Sequence, residues 1–132
     1  MRHLLDSNVL IALTDPEHIS HARATAWFQQ NGQLFATCPI TQGALIRFML
    51  RASPGTTIQQ AKHFLTQVIS LKGHEFWPDS VSYLHLPETG VFGHKQVTDA
   101  YLVALASHNS GRLATFDRAL ATLHSPHTVL IP

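Results

Sequence analysis

The chain has a single cysteine, Cys38, and so can build neither a disulfide framework nor a cysteine-ligated zinc site. Charge is also scarce. Asp, Glu, Lys and Arg make up 13% of 132 residues, and the net charge is +1 with histidine neutral. That balance excludes a strongly basic nucleic-acid coat and an acidic tail, so any contact with nucleic acid has to be local. No apolar run approaches the ~20 residues of a membrane span. The amino-terminal Met-Arg-His-Leu-Leu-Asp carries an acid where a signal peptide has its apolar region, so a cytoplasmic location is expected. No repeat, low-complexity tract or linker divides the sequence, and its length suits one domain, 1–132.

What is present is apolar: 45% of residues, enough for a real core. Histidine is abundant for this length, at ten. His18/His21 and His124/His127 have the i,i+3 spacing that can hold a metal on a helix. Neither pair has a third ligand nearby and Pro126 interrupts the second, so solvated surface histidines are the simpler reading.

Strand and helix patterns alternate along the chain. His3, Leu4 and Leu5 read as a short buried strand with Asp6 at its carboxyl end. Ser7 or Asn8 can cap a helix carrying Val9, Leu10, Ile11 and Leu13 inward. Ser20 can start a second helix, with Ala22, Ala26 and Trp27 inward and Asn31-Gly32 as its stop. Residues 34–38 read as strand two, and Thr41 as the cap of a helix over 42–51. Thr57 opens a helix to about Leu71, ended by Gly73. Residues 75–78 suit an edge strand, because Pro78 forbids a central one. Asp79 is expected to cap a brief helical turn through Leu84, 86–97 to be loop, and Thr98 to cap a helix ended by Asn109-Ser110-Gly111. Residues 112–117 form a strand that again ends on an acid. A short helix over 118–123 and a strand over 129–131 complete the chain. This alternation predicts an α/β fold with a mainly parallel sheet, with sites at the carboxyl ends of the strands.

Asp6 and Asp117 each end a strand. In a parallel sheet both lie on one edge, and the helix that Asp99 begins starts from that same edge. Taken singly, each acid has a structural role open to it. Asp6 and Asp117 can cap the helices that follow them, and Asp99 can complement a helix dipole. Taken together, with only Arg118 as a neighbouring cation, they favour a metal site. Carboxylate oxygens suit Mg²⁺, or Mn²⁺ as a substitute, and the matching chemistry is phosphodiester hydrolysis.

Leu-Leu-Asp-Ser-Asn-Val-Leu-Ile-Ala-Leu, Gln-Val-Thr-Asp-Ala-Tyr-Leu-Val-Ala-Leu-Ala and Gly-Arg-Leu-Ala-Thr-Phe-Asp-Arg resemble the PIN-domain ribonucleases. They are most similar to the VapC-type toxins of toxin–antitoxin pairs, and the resemblance runs the length of the chain. It implies a three-layer α/β/α fold and Mg²⁺-dependent endoribonuclease activity on structured RNA. It also implies Asp6 and Asp99 as metal ligands, Asp117 as a third acid acting through water or at a second metal, and Asn8 and Thr115 as polar supports. A homodimer and a small antitoxin protein are implied as well. The antitoxin would lay a helix in an apolar groove that Trp27, Phe28, Phe48 and Met49 could line, although aromatics at helical spacing are more often plain core. One departure stands out. The family's Glu after strand two is missing from Thr41-Gln42-Gly43-Ala44, leaving Gln42 to hydrogen-bond a metal-bound water without charge. Two alternatives stay open, the second of them supported by that departure. One is an RNA-processing PIN nuclease with no antitoxin, and the other a degenerate PIN module that binds RNA or protein without cutting.

Overall fold

The computed structural model describes residues 1–31 and 33–132. Gly32, half of the expected helix stop, lies outside them. Five strands form one sheet: β1 (His3–Leu5), β2 (Phe35–Thr37), β3 (His74–Phe76), β4 (Arg112–Thr115) and β5 (Thr128–Leu130). All four pairings are parallel, and the order across the sheet is β3-β2-β1-β4-β5. Six helices connect them: α1 (Ser7–Thr14), α2 (His21–Gln30), α3 (Pro39–Ala52), α4 (Ile58–Ile69), α5 (Val97–His108) and α6 (Arg118–Leu123). The fold is α/β with helices on both faces of the sheet.

Strand alternation decides which helix covers which face. Leu4, Ala36 and Leu113 share a core with Leu102 and Leu105 of α5 and Leu120 of α6. Leu5, Phe35 and Ala114 share the opposite core with Leu10 of α1, Trp27 of α2, Leu45 of α3 and Val68 of α4. The helices α1 to α4 therefore lie on one face, and α5 and α6 on the other. With no face of β1 left to water, its three residues are all buried, as a central parallel strand requires.

Several helix ends differ from the sequence expectation, each for a local reason. In α2 it is Ala24 that is buried with Trp27, three residues apart on one face, while Ala22 and Ala26 are exposed. The helix α3 begins at Pro39, whose missing N–H and fixed φ suit the first helical position. Cys38 is thus the cap, and the Thr41 hydroxyl lies inside the first turn, accepting from the Cys38 N–H at 3.0 Å. A 3-10 turn at His94–Gln96 runs directly into α5, so Thr98 caps nothing. The 3-10 turn at Tyr83–His85 is capped by Ser82, whose Oγ accepts from the Leu84 N–H at 3.1 Å, and not by Asp79. Thr57 does open α4 as expected, and Gln60 completes a reciprocal cap with it.

Gly73 does not end α4, which stops at Ile69 with Ser70 as its cap; its role lies in the sheet. A Cβ there would come within 2.0 Å of the Gln33 carbonyl oxygen, because the chain entering β3 runs against the chain entering β2. The Gly73 carbonyl accepts from the Phe35 N–H at 3.0 Å, so the close approach sets the β2–β3 register. Gly73→Ala is expected to destabilise the fold by about 1–3 kcal/mol through overpacking against backbone. Urea unfolding measures this, and an unchanged midpoint would mean that β3 shifts freely.

Candidate active site

The connection order reverses direction once. From β1 the chain steps outward through β2 to β3, then returns to the other side of β1 for β4 and β5. β1 and β4 flank the reversal, and in open parallel sheets the crevice beyond the carboxyl ends of such strands is where ligands bind. Asp6 follows β1, and Asp117 lies two residues beyond β4. Asp99 stands in the first turn of α5.

Strand parity also fixes where Asp6 is aimed. Asp6 follows Leu4 in the alternation and Thr115 follows Leu113, so both belong to the face that α5 covers. The Thr115 hydroxyl donates to Asp6 Oδ2 at 2.8 Å and accepts from the Asp117 N–H at 3.0 Å. One buried hydroxyl thereby joins the two acid-bearing strand ends. Asp6 Oδ1 accepts from the Ser7 N–H at 2.8 Å, which makes Asp6 the cap of α1 in place of Ser7 or Asn8. Asp117 Oδ1 accepts from the Leu120 N–H at 3.0 Å and caps α6. The capping roles open to Asp6 and Asp117 are both real, and each uses only one carboxylate oxygen.

The electrostatics are unfavourable in a telling way. Burial pushes the Asp6 carboxyl up; its bonds from Thr115 and Ser7 oppose that, and the Asp117 charge adds to it. Asp99 is raised to about 6, first by burial and then by the charges of Asp6 and Asp117. The three acids thus feel one another. Among the described residues the ion pair found is Arg2–Glu75 at 3.4 Å, which leaves these acids without one.

Asp99 and Asp117 line a crevice of about 460 Å³ together with Phe92, Lys95, Gln96 and His124. None of these last four was singled out from sequence as lining the site. His124 was noted only as half of a histidine pair, and the expected 86–97 loop gave no cue to its facing residues. Asn8 is exposed on the first turn of α1. Gln42 reaches elsewhere: its amide nitrogen donates to Thr37 Oγ1 at 3.0 Å, and Thr37 Oγ1 lies 2.7 Å from His74 Nε2. His74 packs on Phe35, so this cluster is on the face turned away from α5. Trp27 is core, and Phe28, Phe48 and Met49 are half-buried against it.

Among the described residues no three His, Cys, Asp or Glu side chains converge into a metal cage. A hard cation of the Mg²⁺ type needs only one or two carboxylates, its remaining positions being filled by water and phosphate oxygens. Asp6 and Asp99 are the residues that could hold such an ion: both offer oxygen only and are partly desolvated, and the Asp6 charge further raises Asp99.

Comparison with known proteins gives the family. The PIN domain model matches residues 3–124. Ribonuclease VapC29 of Mycobacterium tuberculosis is 48% identical over 132 residues, covering all of this chain and 98% of that protein. Ribonuclease VapC39 of the same organism is 45% identical, covering 92% of each. The crystal structure of VapBC2 from Rickettsia felis bound to a promoter DNA fragment superposes with a TM-score of 0.65 at 14% identity, over 98% of this chain and 97% of that one. That structure supports the fold, while the sequence matches carry the assignment. The chain belongs to the PIN-domain family, as a ribonuclease of the VapC toxin group.

Proposed function

We propose that the protein is the toxin of a toxin–antitoxin pair, a cytoplasmic Mg²⁺-dependent endoribonuclease that hydrolyses phosphodiester bonds in structured RNA with Asp6, Asp99 and Asp117. The Thr115 hydroxyl that joins Asp6 to the Asp117 backbone at one edge of the sheet, with Asp99 raised by burial and by the charges of both acids, carries this reading. The names of the relatives, ribonucleases at 45–48% identity, favour cleavage over a module that only binds. A homodimer and a small antitoxin complete the proposal. The half-buried Phe28, Phe48 and Met49 give α2 and α3 an apolar surface for a partner helix. Among the described residues no helix is long and apolar enough to cross a membrane.

The roles divide by environment. Asp6 is buried behind the crevice that Asp99 and Asp117 line, immobilised by two hydrogen bonds that leave each of its oxygens a further lone pair. Asp99 approaches from α5 on a half-buried turn. Asp6 and Asp99 would hold the cation, which when bound lowers the pKa of its water and neutralises phosphate charge. Asp117 keeps its Oδ2 free of the cap bond, and that oxygen orients and deprotonates the attacking water. Thr115 holds the Asp6 and Asp117 segments at a fixed separation. Lys95, on the crevice wall, can neutralise a phosphate oxygen of the RNA.

Asp6→Asn and Asp99→Asn are each expected to abolish RNA cleavage while the protein still folds. Asp117→Asn is expected to be milder, and the Asp6→Asn/Asp99→Asn pair little worse than either alone, because the residues act as a unit. A cleavage assay with Mg²⁺ titrated for each variant tests this, and full cleavage by Asp99→Asn would sink the shared site. Thr115→Val should lower cleavage roughly ten- to a hundredfold, with Thr115→Ser restoring most of it. Equal activity in the two would show that the hydroxyl positions nothing. The third test is thermodynamic. The Asp99 carboxyl is raised from 3.8 to about 6, so its stability contribution is present below 3.8 and lost as pH rises through about 6. In chelator, Asp99→Asn should melt above the parent at pH values over about 6 and lose that advantage towards about pH 4. A constant difference across that range would argue against repulsion.

A further inference from the structure

A second cavity, of about 610 Å³, lies between α5 and the 80–87 segment, with His85, His108, His124 and His127 among its lining residues. His124 lines the acid crevice as well, so its side chain is a wall common to both cavities. Gly90 holds that wall: a Cβ there would sit 3.0 Å from His124 Cε1 and Nε2, so the backbone lies directly on the imidazole.

The chemistry of this cavity is the reverse of the crevice beside it. No carboxylate lines it. Its polar groups are imidazoles and the hydroxyls of Ser80, Ser82 and Ser107, all able to donate hydrogen bonds to phosphate oxygens and ribose hydroxyls. The imidazoles do not converge as a metal cage would require. Val81 and Val103 supply apolar wall between them. The helix α5 carries both Asp99 and His108, nine residues apart, or about 14 Å at 1.5 Å per residue.

We infer that the histidine- and serine-lined cavity is the track for the single strand of RNA flanking the cleavage point, entered past His124 from the acid crevice. This inference rests on the nuclease reading of the acids. Three carboxylates repel a polyanion, and a neighbouring acid-free surface rich in donors offsets that repulsion along the same strand. His85, His108 and His127 are solvent-exposed and so available to the strand, whereas the buried His124 forms the wall common to the two cavities.

The test uses the full chain and a fluorescein-labelled RNA stem-loop, with and without a single-stranded tail, titrated in Ca²⁺ to hold cleavage back. His108→Ala/His127→Ala is expected to weaken binding of the tailed RNA about tenfold and leave the tailless one unchanged. Unchanged affinity for the tailed RNA overturns the inference. An equal loss on both RNAs also overturns it, because the tail is what the track holds. Both substitutions are at exposed positions, and a melting curve checks that the variant is folded. Cleavage of total RNA in Mg²⁺ by the parent and by Asp99→Asn runs alongside. Asp99-dependent cleavage with unchanged tail affinity overturns the track alone. Tail-selective loss of binding without Asp99-dependent cleavage supports the track and overturns the nuclease reading.

Discussion

The hydrogen bond from Thr115 to Asp6, 2.8 Å long and buried, is the contact on which the site depends. An ionised carboxylate at the end of a buried strand is costly unless its oxygens are bonded. Thr115 bonds one oxygen and the Ser7 N–H the other, so Asp6 is tolerated in a place where packing alone would exclude it. The same hydroxyl accepts from the Asp117 N–H, so the bond that steadies one acid also sets the backbone that carries the next. Losing the hydroxyl would leave a buried Asp6 oxygen unpaired and free the Asp117 N–H at the same time, which is why a threonine with no charge of its own matters here.

The sheet order makes that contact possible. Because the chain reverses direction between β1 and β4, two strands that are more than a hundred residues apart in sequence become neighbours, paired His3 to Arg112 through Leu5 to Ala114. One residue further along that register stand Asp6 and Thr115. The reversal also sends α5 to the face opposite α1 to α4, which brings Asp99 over the same strand ends. Arg23 steadies the outer side of the arrangement. It donates to the carbonyls of Ile131 and Pro132 and lies 4.8 Å over the Phe116 ring, between Thr115 and Asp117 in sequence.

Much of this was legible in the sequence because it is local. A short apolar run ending on an acid, seen twice, marks two strand ends, and an acid opening a helix marks the third position. Strand alternation with helices gave the parallel sheet, and Pro78 gave the edge position of β3. What was not legible depends on partners distant in sequence. Gln42 is in the right segment, but Thr37 and His74 draw its amide to the other face, and nothing local to residue 42 says so. Asp79 had the composition of a cap, yet Ser82 is the residue with the cap bond. Ala22 and Ala26 matched a helical stripe as well as Ala24 did, and only the packing of Trp27 against His3, ring to ring at 5.2 Å, selects the register. The crevice wall at Phe92, Lys95 and His124 is assembled from a loop and the end of α6, where periodicity carries no information.

The titrating groups add a constraint that no single contact reveals. Burial lowers His3, His74 and His124, so each contributes stability above 6.5 that is lost as pH falls through its folded value. Burial and mutual repulsion raise Asp6 and Asp99, whose contributions run the other way and are lost as pH rises, for Asp99 through about 6. The two sets oppose each other across the neutral range, so acid penalises the protein at its histidines and base penalises it at its carboxylates. His3 feels this most plainly, since its Nδ1 is buried with no hydrogen-bond partner and its ring packs edge-on against Trp27. A cation between Asp6 and Asp99 relieves only the carboxylate side. On the proposed reading, metal binding should therefore widen the stable range upward in pH and leave its acid limit where the histidines set it. On that reading the site's need for charge would be met by a ligand the fold does not itself contain, and the raised carboxyls of Asp6 and Asp99 mark what keeping those acids together costs without it.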